Sequence, residues 1–372
     1  MQQLSMFETH VYQPNPNEHK ALLFNVTSFA EQKKFRELLI INTQVEVVDT
    51  YTLQLAELIK LQNPSKKYTK EELLFEVNKL INDKNTDLLG TWCYYSWSKK
   101  LVHLLNIDEF IAVRTNRNQL KITPQEQAKL QLQTIGIIGL SVGQSVALTL
   151  VMERVCGSLK LADFDELDLS NLNRLRTGVC NIGLKKTIIA AREIAEIDPY
   201  FNVEIFSEGV SAENMDNFFE NLDLLVEVCD GLEIKINSRI KARALKLPVI
   251  MDTNDRGMID IERFDLEPNR PLFHGLVNEA TLTNINELNP NERLGLIMQI
   301  VSFNNTSDKL KLSMSEIGKT ISTWPQLASS VMIGAGATVD CCRRILLNEK
   351  TPSGRFYIDT DELICETQIK LN

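Results

Sequence analysis

From Gln133 onward, short apolar runs alternate with longer segments whose apolar residues recur at helical spacing. This alternation restricts the fold more than any other feature of the sequence, because it is typical of βαβ units, in which helices connect parallel strands. We therefore expect an α/β fold with a doubly wound, mainly parallel sheet. The predicted strands are 134–138, 159–163, 203–206, 222–228, 249–252 and, antiparallel, 259–264, and the predicted helices are 143–154, 185–197, 213–220, 233–246 and 326–347.

The residues on either side of this alternation divide the chain into domains. The first part of the chain carries two S/T-x-x-E capping boxes, at 28–31 and 69–72, each followed by a helically spaced apolar segment, and it shows no catalytic pattern. We predict that it is a mainly helical accessory domain. The predicted divisions are an accessory domain over 1–110, a second domain over 111–350 with an inserted helical subdomain over 265–320, and a C-terminal extension over 351–372.

Composition and charge exclude several classes of protein. Lys and Arg total 40 against 49 Asp and Glu, a net charge of −9, so the field of the molecule repels nucleic-acid backbones and anionic membranes. Two uncharged windows, 130–152 and 320–339, are long enough to cross a bilayer, but Gly, Ser, Thr and Gln interrupt both, so we expect no membrane span. No secretory signal is visible, and the seven cysteines contain no CxxC pair, which favours a cytoplasmic protein without disulfides or cysteine-bound zinc.

A glycine turn follows the first predicted strand of the alternating region. The residues Gly139-Leu140-Ser141-Val142-Gly143 lead into a helix, a geometry that presents backbone N–H groups to an anion. The spacing differs from the G-x-G-x-x-G dinucleotide fingerprint, so the turn is either a nucleotide cradle or a tight packing turn. At the end of the second strand, Asp163 could accept hydrogen bonds from the ribose of NAD or of ATP. The Rossmann-like pattern therefore leaves a dehydrogenase and an ATP-using enzyme open.

Four polar residues that follow favour the ATP-using enzyme. Chemistry at a triphosphate needs cations to neutralise phosphate oxygens, a carboxylate to hold Mg²⁺ and an amide to fix the register of the chain. All four are predicted at the carboxyl ends of strands or at helix starts, where open parallel sheets bind ligands. These residues are Arg174, Lys186, Asp230 and Asn171.

The same region resembles a known family. The run LADFDELDLSNLNR, the downstream Gly183-x-x-Lys186 and the strand end Cys229-Asp230 resemble the ThiF/MoeB adenylyltransferases, relatives of ubiquitin-activating enzymes. The segments DLEPNRPLFHGL, STWPQL and GTWCYYSW resemble longer bacterial proteins that join a ThiF-type domain to a nitroreductase-like domain. Because the sequence ends at Asn372, we expect any such flavin domain to be a partner outside this chain.

The resemblance implies a reaction and a set of residues for it. ATP and Mg²⁺ would be used to convert a substrate carboxylate into an acyl-adenylate, with release of pyrophosphate. Asp163 would bind the ribose, Asp230 would ligate Mg²⁺, and Arg117 would reach into the phosphate site of a neighbouring protomer, which implies a homodimer with shared sites. The implied ATP-binding residues are Gly139, Ser141, Gly143, Asp163, Asp165, Asn171, Arg174 and Lys186, and the implied catalytic residues are Arg174, Lys186, Asp230 and Arg117.

Three departures from the family pattern limit this interpretation. Ser141 and Val142 stand where the family usually has glycines, which restricts how closely a phosphate can approach the backbone. The paired CxxC motifs that hold zinc in many relatives are missing, so we expect no structural zinc. No cysteine lies between Cys229 and Cys341, where thioester-forming relatives carry the nucleophile, so we expect no enzyme thioester unless Cys180 or Cys341 has taken that role.

Two other functions remain open. One is an NAD(P)-dependent oxidoreductase that uses the same glycine turn and Asp163, and the other is a catalytically silent ThiF-like scaffold that binds a partner. The sequence does not name the carboxylate, which could be a protein or peptide C-terminus or a small acid, because residues 252–330 carry no readable specificity pattern.

Overall fold

The computed structural model describes residues 15–282, 285 and 288–365. The chain divides into two compact units, one formed by the residues up to Lys121 together with Asp198–Tyr200, the other by Ile122–Ile197 together with the residues from Phe201 onward. The predicted domain boundary at residue 110 lies on the N-terminal side of this division.

The N-terminal unit combines helices with a small sheet. Its strands β1 (Leu22–Phe24), β2 (Glu46–Asp49), β3 (Thr91–Tyr95) and β4 (Lys100–Leu104) pair in the order β1-β3-β4-β2. Its helices are α1 (Phe29–Ile41), α2 (Tyr51–Gln62), α3 (Lys70–Ile81) and α4 (Ile107–Arg114). The predicted capping residues Ser28 and Thr69 accept backbone N–H groups at the starts of α1 and α3. All five residues of β3 are buried, so its aromatic side chains belong to a core.

The second unit is built on a seven-stranded sheet. Its strands are β5 (Thr134–Ile138), β6 (Ser158–Ala162), β7 (Asn202–Phe206), β8 (Leu224–Glu227), β9 (Pro248–Asp252), β10 (Met258–Arg263) and β11 (Gly354–Tyr357), in the order β11-β10-β9-β8-β5-β6-β7. The five strands β5 to β9 are parallel to one another, β10 pairs antiparallel with β9, and β11 pairs antiparallel with β10. The chain runs outward from β5 through β6 to β7, then returns to the other side of β5 for β8 and β9. This is the predicted doubly wound α/β fold, which the structure confirms.

Helices cover both faces of the large sheet. The helices of this unit are α5 (Pro124–Leu130), α6 (Leu140–Glu153), α7 (Lys186–Ile197), α8 (Met215–Phe219), α9 (Leu232–Ala244), α10 (Glu279–Leu282), α11 (Pro290–Ile300), α12 (Asp308–Glu316), α13 (Ala328–Leu346) and α14 (Thr360–Leu363), of which α12 and α14 bury no residue. Successive residues of β8 point to opposite faces of the sheet. Leu224 and Val226 pack in one apolar cluster, and Leu225 packs in the other. Burial on both faces explains why these strands read as continuous apolar runs.

The predicted C-terminal extension supplies β11, whose residues pair with β10, while residues 366–372 of that extension lie outside the described part of the chain.

Among the helices of the described residues, none combines the length and the apolar character that a bilayer crossing requires.

Candidate functional site

The turn after β5 depends on Gly139. Its φ of +93° lies in the left-handed half of backbone space, and a Cβ on this residue would lie 2.8 Å from Cys229 N and 2.9 Å from Cys229 Cα. Only glycine fits at this position, because the positive φ disfavours any other residue and the backbone of Cys229 leaves no room for a side chain. The peptide bond after β8 therefore lies directly against the turn after β5.

Helix α6 begins at Leu140, three residues before the predicted start at Gly143. The Leu140 N–H donates to Asp163 Oδ2 at 2.6 Å, so a carboxylate at the end of β6 caps the helix. Gly143 lies inside the helix, where a Cβ would come within 2.6 Å of Ile137 Cγ2. The structure thus gives Gly143 a packing role, and its contact with ATP stays a prediction.

Asp163 is the buried carboxylate of the site. Only 8% of the residue is exposed, and burial raises the pKa of its carboxyl, while the N–H groups of Leu140 and Asp165 lower it. The Asp165 N–H donates to Oδ1 at 2.8 Å. Because each carboxylate oxygen can accept more than one hydrogen bond, both oxygens keep capacity for a ribose hydroxyl. This position fits the predicted role of Asp163.

Lys186 meets Asp165 at the start of α7. Its Nζ lies 2.6 Å from Asp165 Oδ2, and its backbone N–H donates to the Asp165 carbonyl at 3.0 Å. The lysine is 6% exposed, so protein surrounds the cation of this pair, whereas the Asp165 side chain is half-exposed. An ammonium group carries three N–H donors, which leaves Lys186 able to bind a further oxygen.

Arg174 connects two other parts of the site. Its Nε donates to Ser141 Oγ in the first turn of α6 at 3.1 Å, and its Nη1 donates to Asn173 Oδ1 at 2.8 Å. Partial burial lowers the pKa of Arg174, and the charge of Asp230 opposes that shift. Arg174 therefore contacts Ser141 and lies within range of the charge of Asp230, although the sequence separates the three residues widely.

Asn171 and Arg117 are less directly connected to this cluster. The Asn171 Oδ1 accepts the Asp168 N–H at 3.1 Å, so this oxygen shapes the 3₁₀ turn Leu169–Asn173 that precedes Arg174. Arg117 is exposed and belongs to the N-terminal unit. The predicted contacts of both residues with a triphosphate stay predictions.

A buried ion network holds the turn that carries Asp230. The Glu227 carboxylate accepts the Cys229 N–H at 2.9 Å and pairs with Lys235 Nζ at 2.8 Å and with Arg239 Nη1 at 2.5 Å. Arg239 also pairs with Glu262 at 2.6 Å. Burial alone would raise the pKa of Glu227, but the two cations hold it at about 2. The sequence analysis missed this network, although Glu227 at the end of the otherwise apolar strand β8 was a usable signal.

Asp230 itself is an exposed residue just before the start of α9. In the described residues, no three His, Cys, Asp or Glu side chains gather closely enough to hold a metal ion. Mg²⁺ commonly binds through one or two carboxylates together with substrate phosphates and waters, so a single exposed aspartate fits Mg²⁺ that arrives with a nucleotide. The expectation that no structural zinc is present stays a prediction.

Three residues of the site follow neighbouring strands of the large sheet. Along the carboxyl edge of the sheet, Asp163 follows β6, Gly139 follows β5 and Asp230 follows β8. The model of the ThiF family matches residues 115–355, which include all three strand ends. The chain belongs to the ThiF family. The resemblance to ThiF/MoeB-type adenylyltransferases is thereby confirmed.

Similar proteins support this membership. An uncharacterised protein of Mycobacterium tuberculosis (strain CDC 1551 / Oshkosh) is 42% identical over 291 residues, covering 77% of this chain and 41% of that protein. A molybdopterin-synthase adenylyltransferase of Haemophilus influenzae is 27% identical over 152 residues, covering 40% of this chain and 62% of the enzyme. A tRNA threonylcarbamoyladenosine dehydratase of Bacillus subtilis is 25% identical over 153 residues, covering 41% of this chain and 60% of the enzyme. The chain thus spans less than two thirds of the length of each of these relatives.

Solved structures include the crystal structure of E. coli MccB, which superposes with a TM-score of 0.48 at 14% sequence identity and covers 83% of each chain.

Proposed function

We propose that this ThiF family protein is an ATP- and Mg²⁺-dependent adenylyltransferase that activates a carboxylate. The observation that carries the proposal is the hydrogen bond from Arg174 to Ser141, which sets a cation at the start of α6, with the negative charge of Asp230 near enough to act on the same arginine. Helix N-termini and arginine side chains are the groups that proteins use to bind phosphates.

Each side chain has a defined task in this reaction. Asp163 binds the ribose, the start of α6 and Arg174 bind the triphosphate, and Lys186 adds a second cation beside Asp165. A carboxylate oxygen of the substrate attacks the α-phosphorus, the bond from that phosphorus to the leaving pyrophosphate breaks, and an acyl-adenylate forms. The protein contributes mainly by holding the reactants in line and by neutralising charge.

Asp230 would hold Mg²⁺ that arrives with the nucleotide. Mg²⁺ bound there would neutralise phosphate charge as pyrophosphate leaves. The Asp230 side chain is exposed and therefore accessible to such an ion.

A thermal-shift titration tests nucleotide choice. With Mg-ATP at about one hundred times its Kd, we expect the folded state to gain roughly 2.7 kcal/mol, because a ligand that binds only the folded state stabilises it. NADH and NADPH serve as comparison ligands. Stabilisation by a nicotinamide nucleotide and not by Mg-ATP would replace the proposal with the oxidoreductase alternative.

Exchange of pyrophosphate into ATP tests the reaction. With an accepted acid present, Asp230→Ala should lower the exchange rate at least a hundredfold, on the order expected when a charge-stabilising group is lost. Asp308→Ala is the matched control, because Asp308 is a fully exposed carboxylate on α12 that pairs with Lys311 at 3.5 Å. Full exchange by Asp230→Ala would refute its role in catalysis, and partner binding without exchange by the wild type would favour the scaffold alternative.

We further propose that the chain works without an enzyme thioester. Burial raises the pKa of the Cys229 thiol and of the Cys341 thiol, which keeps both in the unreactive thiol form. Cys180 is exposed. We expect Cys180→Ser and Cys341→Ser to retain pyrophosphate exchange, and loss of substrate transfer in either variant, with exchange intact, would show that a thioester is used.

The partners and the compartment follow from the same proposal. The resemblance to the family supports a homodimer with shared sites, a carboxylate substrate that is a protein or peptide C-terminus or a small acid, and a nitroreductase-like domain as a possible partner. Within the part of the chain that the structure describes, Cys93, Cys156, Cys180, Cys229, Cys341 and Cys342 form no disulfide, which supports a reducing compartment such as the cytoplasm.

A further inference from the structure

Glu227 is a fully buried carboxylate that ends β8, three residues before Asp230. Its Oε1 accepts the Cys229 N–H and Lys235 Nζ, while its Oε2 accepts Lys235 Nζ at 2.9 Å and Arg239 Nη1. Lys235 and Arg239 lie on α9, the helix that follows the Asp230 turn. One carboxylate therefore fixes the strand end, the turn and the helix after it.

The turn is also fixed from the side of β5. The Val228 N–H donates to the Ile138 carbonyl at 2.9 Å, and the next peptide bond lies against Gly139. The turn is thus confined between the glycine at the start of α6 and the Glu227 carboxylate. A shift of the Cys229 peptide would change the distance between Asp230 and the start of α6.

We propose that Glu227 is a positioning residue, whose hydrogen bond to the Cys229 N–H holds Asp230 where Mg²⁺ on a nucleotide can reach it. This inference deepens the proposed function and rests on it. Glu227 does not touch the nucleotide, because it is fully buried. It acts through the backbone of the turn.

The chain offers a matched control in Glu262. This glutamate is also fully buried and also pairs with Arg239, at 2.6 Å, but its other oxygen accepts the Phe273 N–H at 2.7 Å instead of a group in the Asp230 turn. Glu227→Gln and Glu262→Gln both remove one negative charge from the same network and keep the shape of the side chain. Only Glu227→Gln weakens the hold on the Asp230 turn.

Amide hydrogen exchange of the ligand-free protein tests the hold directly. A hydrogen bond to a charged acceptor is the stronger kind, so we expect Glu227→Gln to speed exchange of the Cys229 N–H by about tenfold to a hundredfold. Glu262→Gln should leave that amide unchanged and speed exchange of the Phe273 N–H. Equal rates at Cys229 in the wild type and in Glu227→Gln would overturn the proposal.

Nucleotide affinity tests the consequence for metal binding. ATP is titrated with Mg²⁺ and again with EDTA, and the ratio of the two dissociation constants measures what the metal adds. We expect Glu227→Gln to reduce this ratio about tenfold while the affinity measured with EDTA stays the same, since only the metal ligand is displaced. Glu262→Gln should keep the wild-type ratio. A purely structural defect would weaken both titrations in both variants, and that result would overturn the proposal.

Two further variants complete the design. If Glu227→Gln does not fold, Glu227→Asp keeps the charge but withdraws the oxygen from Cys229, and it is expected to show the same loss of the metal ratio. Asp230→Ala sets the lower limit of that ratio. A wild type whose affinity for ATP does not depend on Mg²⁺ would reject the metal part of the proposed function itself, which distinguishes that failure from a failure of Glu227 alone.

Discussion

At the scale of single residues, Gly139 combines two separate constraints. Its φ of +93° is one, and the backbone of Cys229 within 2.8 Å of a Cβ is the other. Gly183 shares the first constraint, with a φ of +84°, but has open space where its Cβ would stand. Alanine substitutions at the two glycines therefore distinguish the cost of a left-handed backbone from the cost of a steric clash.

We expect Gly139→Ala to destabilise the protein by about 2 kcal/mol or more and to abolish the ATP-dependent thermal shift, because the turn must move away from Cys229. Gly183→Ala should cost about 1 kcal/mol, the strain of the left-handed conformation alone. Urea unfolding measures both. Equal costs in the two variants would show that the turn relaxes around a methyl group.

Asp252 is the second informative residue, at the end of β9. It is 4% exposed, its Oδ1 accepts the Asn254 N–H at 2.8 Å, and its Oδ2 has no hydrogen-bond partner among the described residues. Burial raises the pKa of this carboxyl to about 7. The folded state therefore binds a proton that the unfolded chain releases near pH 4.

This shift makes stability depend on pH. The stabilising contribution of the neutral Asp252 is complete below the unfolded pKa and is lost as the pH rises through about 7. We expect the free energy of unfolding of the wild type to fall, relative to Asp252→Asn, by roughly 1 kcal/mol per pH unit between about pH 5 and pH 7. Glu193, whose pKa burial also raises to about 7, is present in both proteins, so its effect cancels. A constant difference from pH 5 to pH 8 would contradict the burial of an unpaired carboxyl.

At the scale of elements, helix α13 packs on the end of β9 through a glycine. A Cβ on Gly334 would lie 2.0 Å from Asp252 Oδ2. Two residues later, Gly336 has nothing within 4 Å of the corresponding position. The helix can lie this close to the strand because Gly334 has no side chain. The Asp252 carboxyl group occupies the space that a side chain would need.

A double-mutant cycle tests this contact. Gly334→Ala should destabilise the protein by roughly 1 to 3 kcal/mol, as overpacking does, and Asp252→Ala in the same chain should recover most of that loss because it vacates the space. Gly336→Ala is the control and should stabilise the helix by about 0.5 to 1 kcal/mol. Additive effects of Gly334→Ala and Asp252→Ala would show that the two residues do not compete for space.

At the scale of the whole molecule, the prediction with the widest consequence is the sharing of sites between protomers. Arg117 belongs to the N-terminal unit, whereas Arg174, Lys186 and Asp230 belong to the second unit. If Arg117 serves the site of a neighbouring protomer, Arg117→Ala and Asp230→Ala should each be inactive alone. Random mixing should then restore about a quarter of the wild-type exchange rate, because half of the dimers are mixed and each has one complete site.

Mixing Asp230→Ala with Lys186→Ala is the control for this experiment. Both residues would belong to the same site of one protomer, but a mixed dimer would leave each site lacking one of them, so no activity should return. Recovery in that control would mean that activity does not require both residues in one site. No recovery in the Arg117 mixture, at concentrations where size-exclusion chromatography shows dimers, would contradict shared sites.

The sequence by itself determined the architecture of the second unit and the identity of its strand ends. Alternating apolar runs fix which segments are strands, and the rule that parallel strands are joined by helices fixes their direction, so the doubly wound sheet and the row of Gly139, Asp163 and Asp230 could be predicted. These features depend on local periodicity and on connection rules, both of which are visible along one chain.

Only the tertiary structure decided what holds that row in place. The start of α6 at Leu140 depends on a carboxylate from another strand, and the Asp230 turn depends on Glu227 and on its cations across α9. These contacts join residues of different elements, and a small shift of one element against another would give the same residues other partners. No local sequence pattern therefore specifies them. A buried charge is stable only when its partners converge in three dimensions, and that convergence exists only once the sheet has formed.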